Sequence, residues 1–430
     1  MRVSIIRKLV YDRAMTHLPI IVVGAGIVGA STALALQEDG HTVTLLDREE
    51  PCAGASFGNA GVIVNGSCVP TAMPGIALTG LRMLVDANAP MSIRAAYVPK
   101  ILPWLVRFVL ESRASRVASN TQAIHALSKD ATSCWLRLIG NTGLREGLAS
   151  GGWLRVFETE KAFVASRTAR SLMDDVGTPY AVLNAAEIQE MEPHLAPNFC
   201  RAIFQEDSMR ITNPFRMVQG MVELFVARGG TYQRFEVNSI VNHQDAGTES
   251  ITLTNAHASL FASKVVIACG AWSRTLAKQM GDIIPLDTER GYHLMFSPED
   301  SALLNRAVVH SEASFVLSPM EAGLRMTSQV EFAGVDAPAD YRHIRSLVPA
   351  AKRMLPELES NEQSVWMGCR PSLPDSLPVL GFSSRSDKVL YAFGHQHLGM
   401  TLGPRTAFII ADLIAGRSPD LEMAPYRPRS

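Results

Sequence analysis

Three glycines in the run Gly24-Ala25-Gly26-Ile27-Val28-Gly29 follow an apolar, β-branched stretch from Pro19 to Val23 and open a helical pattern. Strand, glycine turn, helix is the context in which this spacing carries chemistry. Gly24 permits a tight turn, Gly26 lets backbone approach a pyrophosphate, and Gly29 lets the helix pack closely on the strand. The helix N-terminus, with Ile27 and Val28 in its first turn, then offers free N–H groups and a partial positive charge to a diphosphate. The next strand, Thr42 to Leu46, ends at Asp47, which is placed to accept both hydroxyls of an adenosine ribose, with Arg48 beside it. A glycine-rich turn that binds nothing is the plain alternative.

Three further small-residue clusters bear on which dinucleotide it is. Ala53 to Gly61, with Ser56, Asn59, Ala60 and Gly61, lets backbone lie close to a flat ligand. NAD has no need of such a loop there, whereas FAD extends past the sheet edge to its isoalloxazine ring. Val265 to Ser273 is an apolar strand ending in a small-residue turn with Cys269, Gly270 and Trp272, and Val237 joins the cofactor set ahead of it. Gly394 to Pro404 carries His395, His397, Leu398, Gly399, Met400 and Thr401 directly before the last helix. A helix N-terminus beside a flavin would stabilise negative charge at N1–C2=O of the reduced ring. The clusters therefore select FAD. His395 and His397 could suggest a metal pair, but no third ligand stands at metal-site spacing, so no metal is expected.

The elements that hold these groups follow from periodicity and turn chemistry. A helix runs from the glycine turn through Gln37 and is closed by Gly40. Residues 74–128 read as helical, divided by Pro90, Pro99 and Pro103. There Leu102, Leu105, Val106, Val109 and Leu110 recur around Trp104, a stripe expected to pack on the core, with peripheral membrane contact through 74–112 as the lesser reading. A strand-like segment and short helix follow at 152–165, a helix at 214–228 between Pro214 and Gly229, and short strands at 232–241, 251–253 and 264–268. Alternating strands fill 285–335, a helix 341–355, a strand 389–393, and a last helix runs from Arg405 to Ala415. The expected fold is α/β: a Rossmann-like FAD-binding domain assembled from discontinuous segments, plus an inserted α+β substrate domain with an antiparallel sheet. Residues 19–72, 200–284 and 365–430 are assigned to the first and 73–199 and 285–364 to the second, with 1–18 an N-terminal extension and Met15 an alternative start.

Bulk properties agree with this layout. The 430 residues suit two domains, and 47% apolar with 19% charged residues is ordinary for a globular protein. A net charge of −1 without a basic run argues against nucleic acid. Six scattered cysteines without a C-x-x-C pair argue against a disulfide framework, a zinc site or a dithiol centre, and fit a reducing cytoplasm. The N-terminal segment lacks the apolar core of a signal peptide.

Together the motifs resemble the D-amino acid oxidase-like flavoprotein superfamily and, within it, the bacterial D-amino acid dehydrogenases. The carriers are GAGIVG with LLDRE, AGASFGNAG, IACGAWS, RGYHL at 290–294, CRPSLPDSLPVLG at 369–381 and GHQHLGMTLGP, spread from about Pro19 to Pro425. The resemblance implies oxidation of the C–N bond of a small amino or imino acid by hydride transfer to flavin N5, with a quinone or other respiratory acceptor. D-Proline, cis-4-hydroxy-D-proline and small neutral D-amino acids are the candidate substrates. An O2-using amine oxidase of the glycine or sarcosine type, and a flavin subunit of a heteromeric amine dehydrogenase, stay open. A pyridine nucleotide–disulfide reductase is disfavoured, because a second GxGxxG and a C-x-x-x-x-C are lacking.

The resemblance also assigns roles. Arg370, followed by Pro371, is expected to hold the substrate carboxylate, which a planar guanidinium grips bidentately. Its alternative is a structural arginine paired with Asp375. Tyr292 and His293 are expected in the pocket wall, Tyr292 also donating to the carboxylate. Of His395 and His397, one should face substrate or ring and the other solvent. His397 stands where the dehydrogenases more often have Thr, which points to cyclic imino acids. Cys369 lies near the cysteine that carries covalent FAD in sarcosine oxidases, but the offset differs and non-covalent FAD is expected. The cysteine pattern and the N-terminal segment place the protein in the cytoplasm, with contact at the inner membrane face through 74–112 and a homo-oligomer left open.

Overall fold

The structure, a computed structural model, describes residues 18–76, 91–245 and 248–429. Most of the N-terminal extension, the alternative start at Met15, and residues 77–90 of the membrane-contact stretch lie outside the described residues.

The glycine turn belongs to a six-stranded sheet ordered Thr231–Arg234, Val43–Asp47, Ile20–Val23, Lys264–Ile267, Ser386–Phe393 and Val379–Ser383. The first five strands are parallel and the last antiparallel. Ile20–Val23 is buried along its length, as a central parallel strand covered on both faces must be. The helix Ile27–Glu38 is buried continuously from Ile27 to Leu36. Against it packs the last helix, Gly399–Ile414, where a Cβ on Gly403 would stand only 3.0 Å from Ile27 Cγ1.

That last helix begins at Gly399, six residues before the expected Arg405, because Pro404 sits within it instead of opening it. Proline at 404 leaves the Met400 carbonyl without its usual helical N–H donor. The buried Trp135 side chain supplies one, Nε1–H donating to Met400 O at 2.7 Å.

A second sheet has nine strands. Its path is Ser364–Ser372, Asp287–Met295, Gly323–Phe332, Phe315–Met320, Ala307–His310, Trp153–Phe157, Arg201–Gln205 and Ala181–Asn184, and Met91–Ile93 pairs off the path with Gly323–Phe332. Most pairings are antiparallel. Two of these strands fall in ranges assigned above to the FAD-binding domain. Arg201–Gln205 ladders with Trp153–Phe157, and Ser364–Ser372 ladders with Asp287–Met295 along its whole length. We propose that the domain division follows the two sheets, since ladder pairing decides which layer a strand joins.

Between residues 91 and 128 the structure has the strand Met91–Ile93 and helices Val98–Glu111 and Ala114–Ser128, with Pro103 inside the first helix instead of dividing it. Ile101 and Trp104 pack on Phe332, while Val98, Leu102, Val106, Val109 and Leu110 are exposed. The expected core-facing stripe is therefore narrower than its sequence pattern. No helix of the described residues is long and apolar enough to cross a membrane.

Candidate active site

The glycine turn builds the floor of a cleft. Gly24 has φ +110°, and a Cβ there would come within 2.4 Å of Ala268 O; a Cβ on Gly29 would meet Gly24 O. Gly29 thus serves strand–helix packing, while Gly24, Gly26, Ile27 and Val28 line the cleft. The Ile27 N–H donates to Ser56 Oγ at 3.0 Å, so the Ala53–Gly61 loop reaches the helix N-terminus from outside. Asp47 closes one end. Its Oδ2 accepts from Ala25 N–H at 2.6 Å and its Oδ1 from Glu49 N–H at 3.0 Å, which leaves each oxygen a free lone pair. Burial raises the Asp47 carboxyl above its ordinary value, opposed by these bonds and by Arg48. The Arg48 guanidinium lies 4.2 Å over the Trp272 ring, and Val237, Cys269 and Gly270 continue the wall.

From there the cleft runs to Asn59, His395, Gly399 and Met400, where the last helix presents its N-terminus. At Ala55, Asn59 and Gln396 it shares lining with a second cavity of about 540 Å³. An acid at a strand tip, two glycine-lined approaches to backbone, a helix N-terminus and an adjoining cavity form one continuous path. An elongated dinucleotide carrying a flat ring fits that path.

Arg370 lines the second cavity with Glu289, Gly291 and Gln329. Its Nη1 donates to the Gln329 carbonyl at 2.9 Å, and its guanidinium lies across Gly291, where a Cβ would stand 2.1 Å from Cζ. Desolvation lowers the Arg370 pKa, with Glu289 opposing it; burial raises the Glu289 carboxyl, with Arg370 opposing it. Asp375 is not the partner of Arg370: it pairs with Arg429, at 2.5 and 2.9 Å. Gln329 sits at a register shift opposite Gly291, with φ +74° and its buried Oε1 lacking a hydrogen-bond partner. Nothing in its sequence context signals this. Ala60, Leu398 and Thr401 complete the junction, Thr401 Oγ1 accepting from Val64 N–H at 3.2 Å. Gly61 lies off both cavities, with φ +72° and a Cβ position 2.5 Å from Ile211 O.

Two sequence expectations need correction. Residues 289, 291 and 293 share one face of their strand and 290 and 292 the other, so Tyr292 and His293 cannot share a wall. Tyr292 is buried away from the cavity, donating to Glu331 Oε2 at 2.5 Å, and Glu331 also pairs with Arg290 at 3.0 Å. His293 is buried too, stacked on Trp366 with centroids 5.3 Å apart; it is Trp366 that lines the cavity, packed against Gly58 and Gly368. The histidine pair divides between the two spaces. His395 lines the dinucleotide cleft with Nε2 2.9 Å from Thr406 Oγ1, while His397 presents its ring to the cavity beside Arg370. Burial lowers the His395 pKa to about 3, which makes it a neutral donor–acceptor at working pH. His397 is exposed where it lines the cavity, and desolvation there, with Arg370 and Arg155, lowers its pKa. Arg155, another cavity residue, escaped sequence reading. Cys369 lines the cleft, its thiol pKa raised by burial.

Comparisons with known proteins agree with this geometry. The family described as FAD dependent oxidoreductase matches residues 19–413. A D-amino-acid oxidase of Bradyrhizobium diazoefficiens is 32% identical over 95% of this chain and 97% of its own length. A D-amino acid dehydrogenase of Vibrio vulnificus is 28% identical over 92% and 95%. Among solved structures, glycine oxidase from Geobacillus kaustophilus superposes with a TM-score of 0.73 at 20% identity, covering 96% of this chain and 98% of that one. L-Proline dehydrogenase from P. horikoshii gives 0.70 at 16% identity, covering 96% of each.

Proposed function

The chain belongs to the FAD-dependent oxidoreductase family and uses FAD, and from that premise we propose that it oxidises the C–N bond of an amino or imino acid. The observation that carries this is Arg370, laid over Gly291 and aimed into a cavity that opens on the dinucleotide cleft. Bound FAD supplies the hydride acceptor. Arg370 takes the substrate carboxylate and thereby fixes the orientation of the Cα–H bond. The Glu289 carboxyl, beside Arg370 in the cavity wall, is an acceptor for the substrate amine. The rings of His397 and Trp366 line the cavity around the reacting carbon. No side chain need act as base if the amine is bound neutral, and catalysis then rests on orientation and desolvation. D-Proline, cis-4-hydroxy-D-proline and small neutral D-amino acids are the first substrates to test, with a quinone or other respiratory acceptor.

Anaerobic mixing of the holoenzyme with a panel of D- and L-amino acids should bleach the flavin absorbance with some members. Arg370→Ala should raise KM steeply for every substrate that does so. Unchanged kinetics in that variant would remove the assignment. Relatives of this chain carry both oxidase and dehydrogenase names, so reoxidation of the reduced enzyme by air against a soluble quinone decides the acceptor.

A further inference from the structure

Arg155 is a cavity cation that the proposed chemistry leaves without a task. It lies on the strand Trp153–Phe157 and lines the same cavity as Arg370. Along the sheet, four strands separate the two. Both nevertheless line one cavity, and His397 lines it with them. Among the described residues Arg155 has no hydrogen bond, ion pair or ring contact, and its side chain is exposed where it lines the cavity. A guanidinium carries five N–H donors, and here none is taken by a protein acceptor, so all are open to a ligand that enters the cavity.

Charge balance sharpens the point. The described residues lining the cavity include three guanidiniums, Arg155, Arg170 and Arg370, against one carboxylate, Glu289. Arg170 is engaged at the rim, 4.1 Å over the Phe163 ring and donating to Ser166 Oγ at 3.2 Å. Arg370 has Glu289 beside it and would take the substrate α-carboxylate. A substrate with a single carboxylate leaves Arg155 unanswered. We propose that Arg155 receives a second anionic group, so that the enzyme takes a dicarboxylic amino or imino acid in preference to its uncharged isostere. This rests on the reading of Arg370 given above.

The test compares isosteres that differ only in the second charge. The holoenzyme is titrated with glutarate and with its monoamide, following perturbation of the flavin absorbance. Reduction rates are measured anaerobically with D-glutamate against D-glutamine and D-aspartate against D-asparagine. Charge-assisted hydrogen bonds to a guanidinium predict that the acid is favoured over the amide by at least roughly 10-fold in Kd and in kcat/KM. Arg155→Met should bring that ratio to within about 2-fold, and Arg155→Lys should restore part of it. A ratio near one in the unsubstituted enzyme overturns the proposal without any variant. Equal losses on acid and amide in Arg155→Met also overturn it, because Arg155 would then grip the shared carboxylate. If no amino acid bleaches the flavin but glutarate is selected through Arg155, the anion site stands and the amino acid reading falls.

Discussion

Gly291→Ala tests the carboxylate clamp without touching its charge. The added Cβ would lie 2.1 Å from both Cζ and Nη2 of Arg370 and 2.7 Å from Nε, where non-bonded heavy atoms settle at about 3.5 Å or more. The guanidinium must therefore shift by more than about 1 Å. Because it is the far end of a flexible side chain, the strand itself can stay in place. Gly291 is absent from the positive-φ residues, so alanine is compatible with its backbone and gains about 0.4–1 kcal/mol through the unfolded state. The lost bond from Arg370 Nη1 to Gln329 O, 2.9 Å long, costs about 0.5–1.5 kcal/mol. Stability should therefore change by less than about 1 kcal/mol in either direction. Activity should change far more. A displaced guanidinium gives up charge-assisted bonds worth about 1.5–3 kcal/mol, or roughly 10- to 150-fold in kcat/KM. Steady-state kinetics with the best substrate of the panel, together with a thermal melt, separates the two effects. A double-mutant cycle completes the argument: once Arg370→Met has removed the clamp, Gly291→Ala should add little. Additive losses, or a Gly291→Ala enzyme with full activity, would refute the reasoning.

Asp47→Asn sets an amide where two backbone N–H groups converge on a carboxylate, and should weaken FAD binding by roughly 10-fold or more; an unchanged Kd in reconstitution of apoenzyme would count against the ribose assignment. His293 and His395 have pKa values lowered by burial to about 3, so below about pH 6.5 the unfolded chain binds protons that the folded one refuses. Their stabilisation is complete above that pH and is lost as pH falls toward 3; melts from pH 8 to 4.5 should show Tm dropping only below about 6.5, and a flat profile down to 4.5 contradicts it. Trp135→Phe leaves Met400 O buried without a donor and should cost about 1–3 kcal/mol, read by melting the holoenzyme, with no loss meaning that another donor replaces the indole. Denaturing the protein should release its yellow chromophore, and colour retained on the precipitate would show a covalent link to FAD.

What could be read from the sequence divides along a physical line. The dinucleotide turn is local: Gly24, Gly26 and Gly29 answer to backbone constraints within one βαβ unit, and those constraints leave a fixed spacing. Arg370 is legible only through the motif around it, and the reason for Gly291 in the separate RGYHL motif is invisible in either strand alone, because the two residues meet only when Asp287–Met295 and Ser364–Ser372 ladder together. The early start of the last helix was hidden for the same reason. Glycine and proline at 399, 403 and 404 look like loop chemistry until Ile27 and Trp135 are brought against them from distant segments. Arg155 is the sharpest case. In Trp-Leu-Arg-Val-Phe a charged residue between apolar neighbours is the ordinary pattern of a strand with one face in water, and nothing local distinguishes water from a ligand cavity. Only the placement of that strand beside Ala307–His310, in the sheet that also carries Arg370, turns its polar face inward. The cofactor end of this site is thus written in contiguous motifs. The end that selects the substrate is assembled by sheet pairing, and Arg155 is where its specificity should be sought.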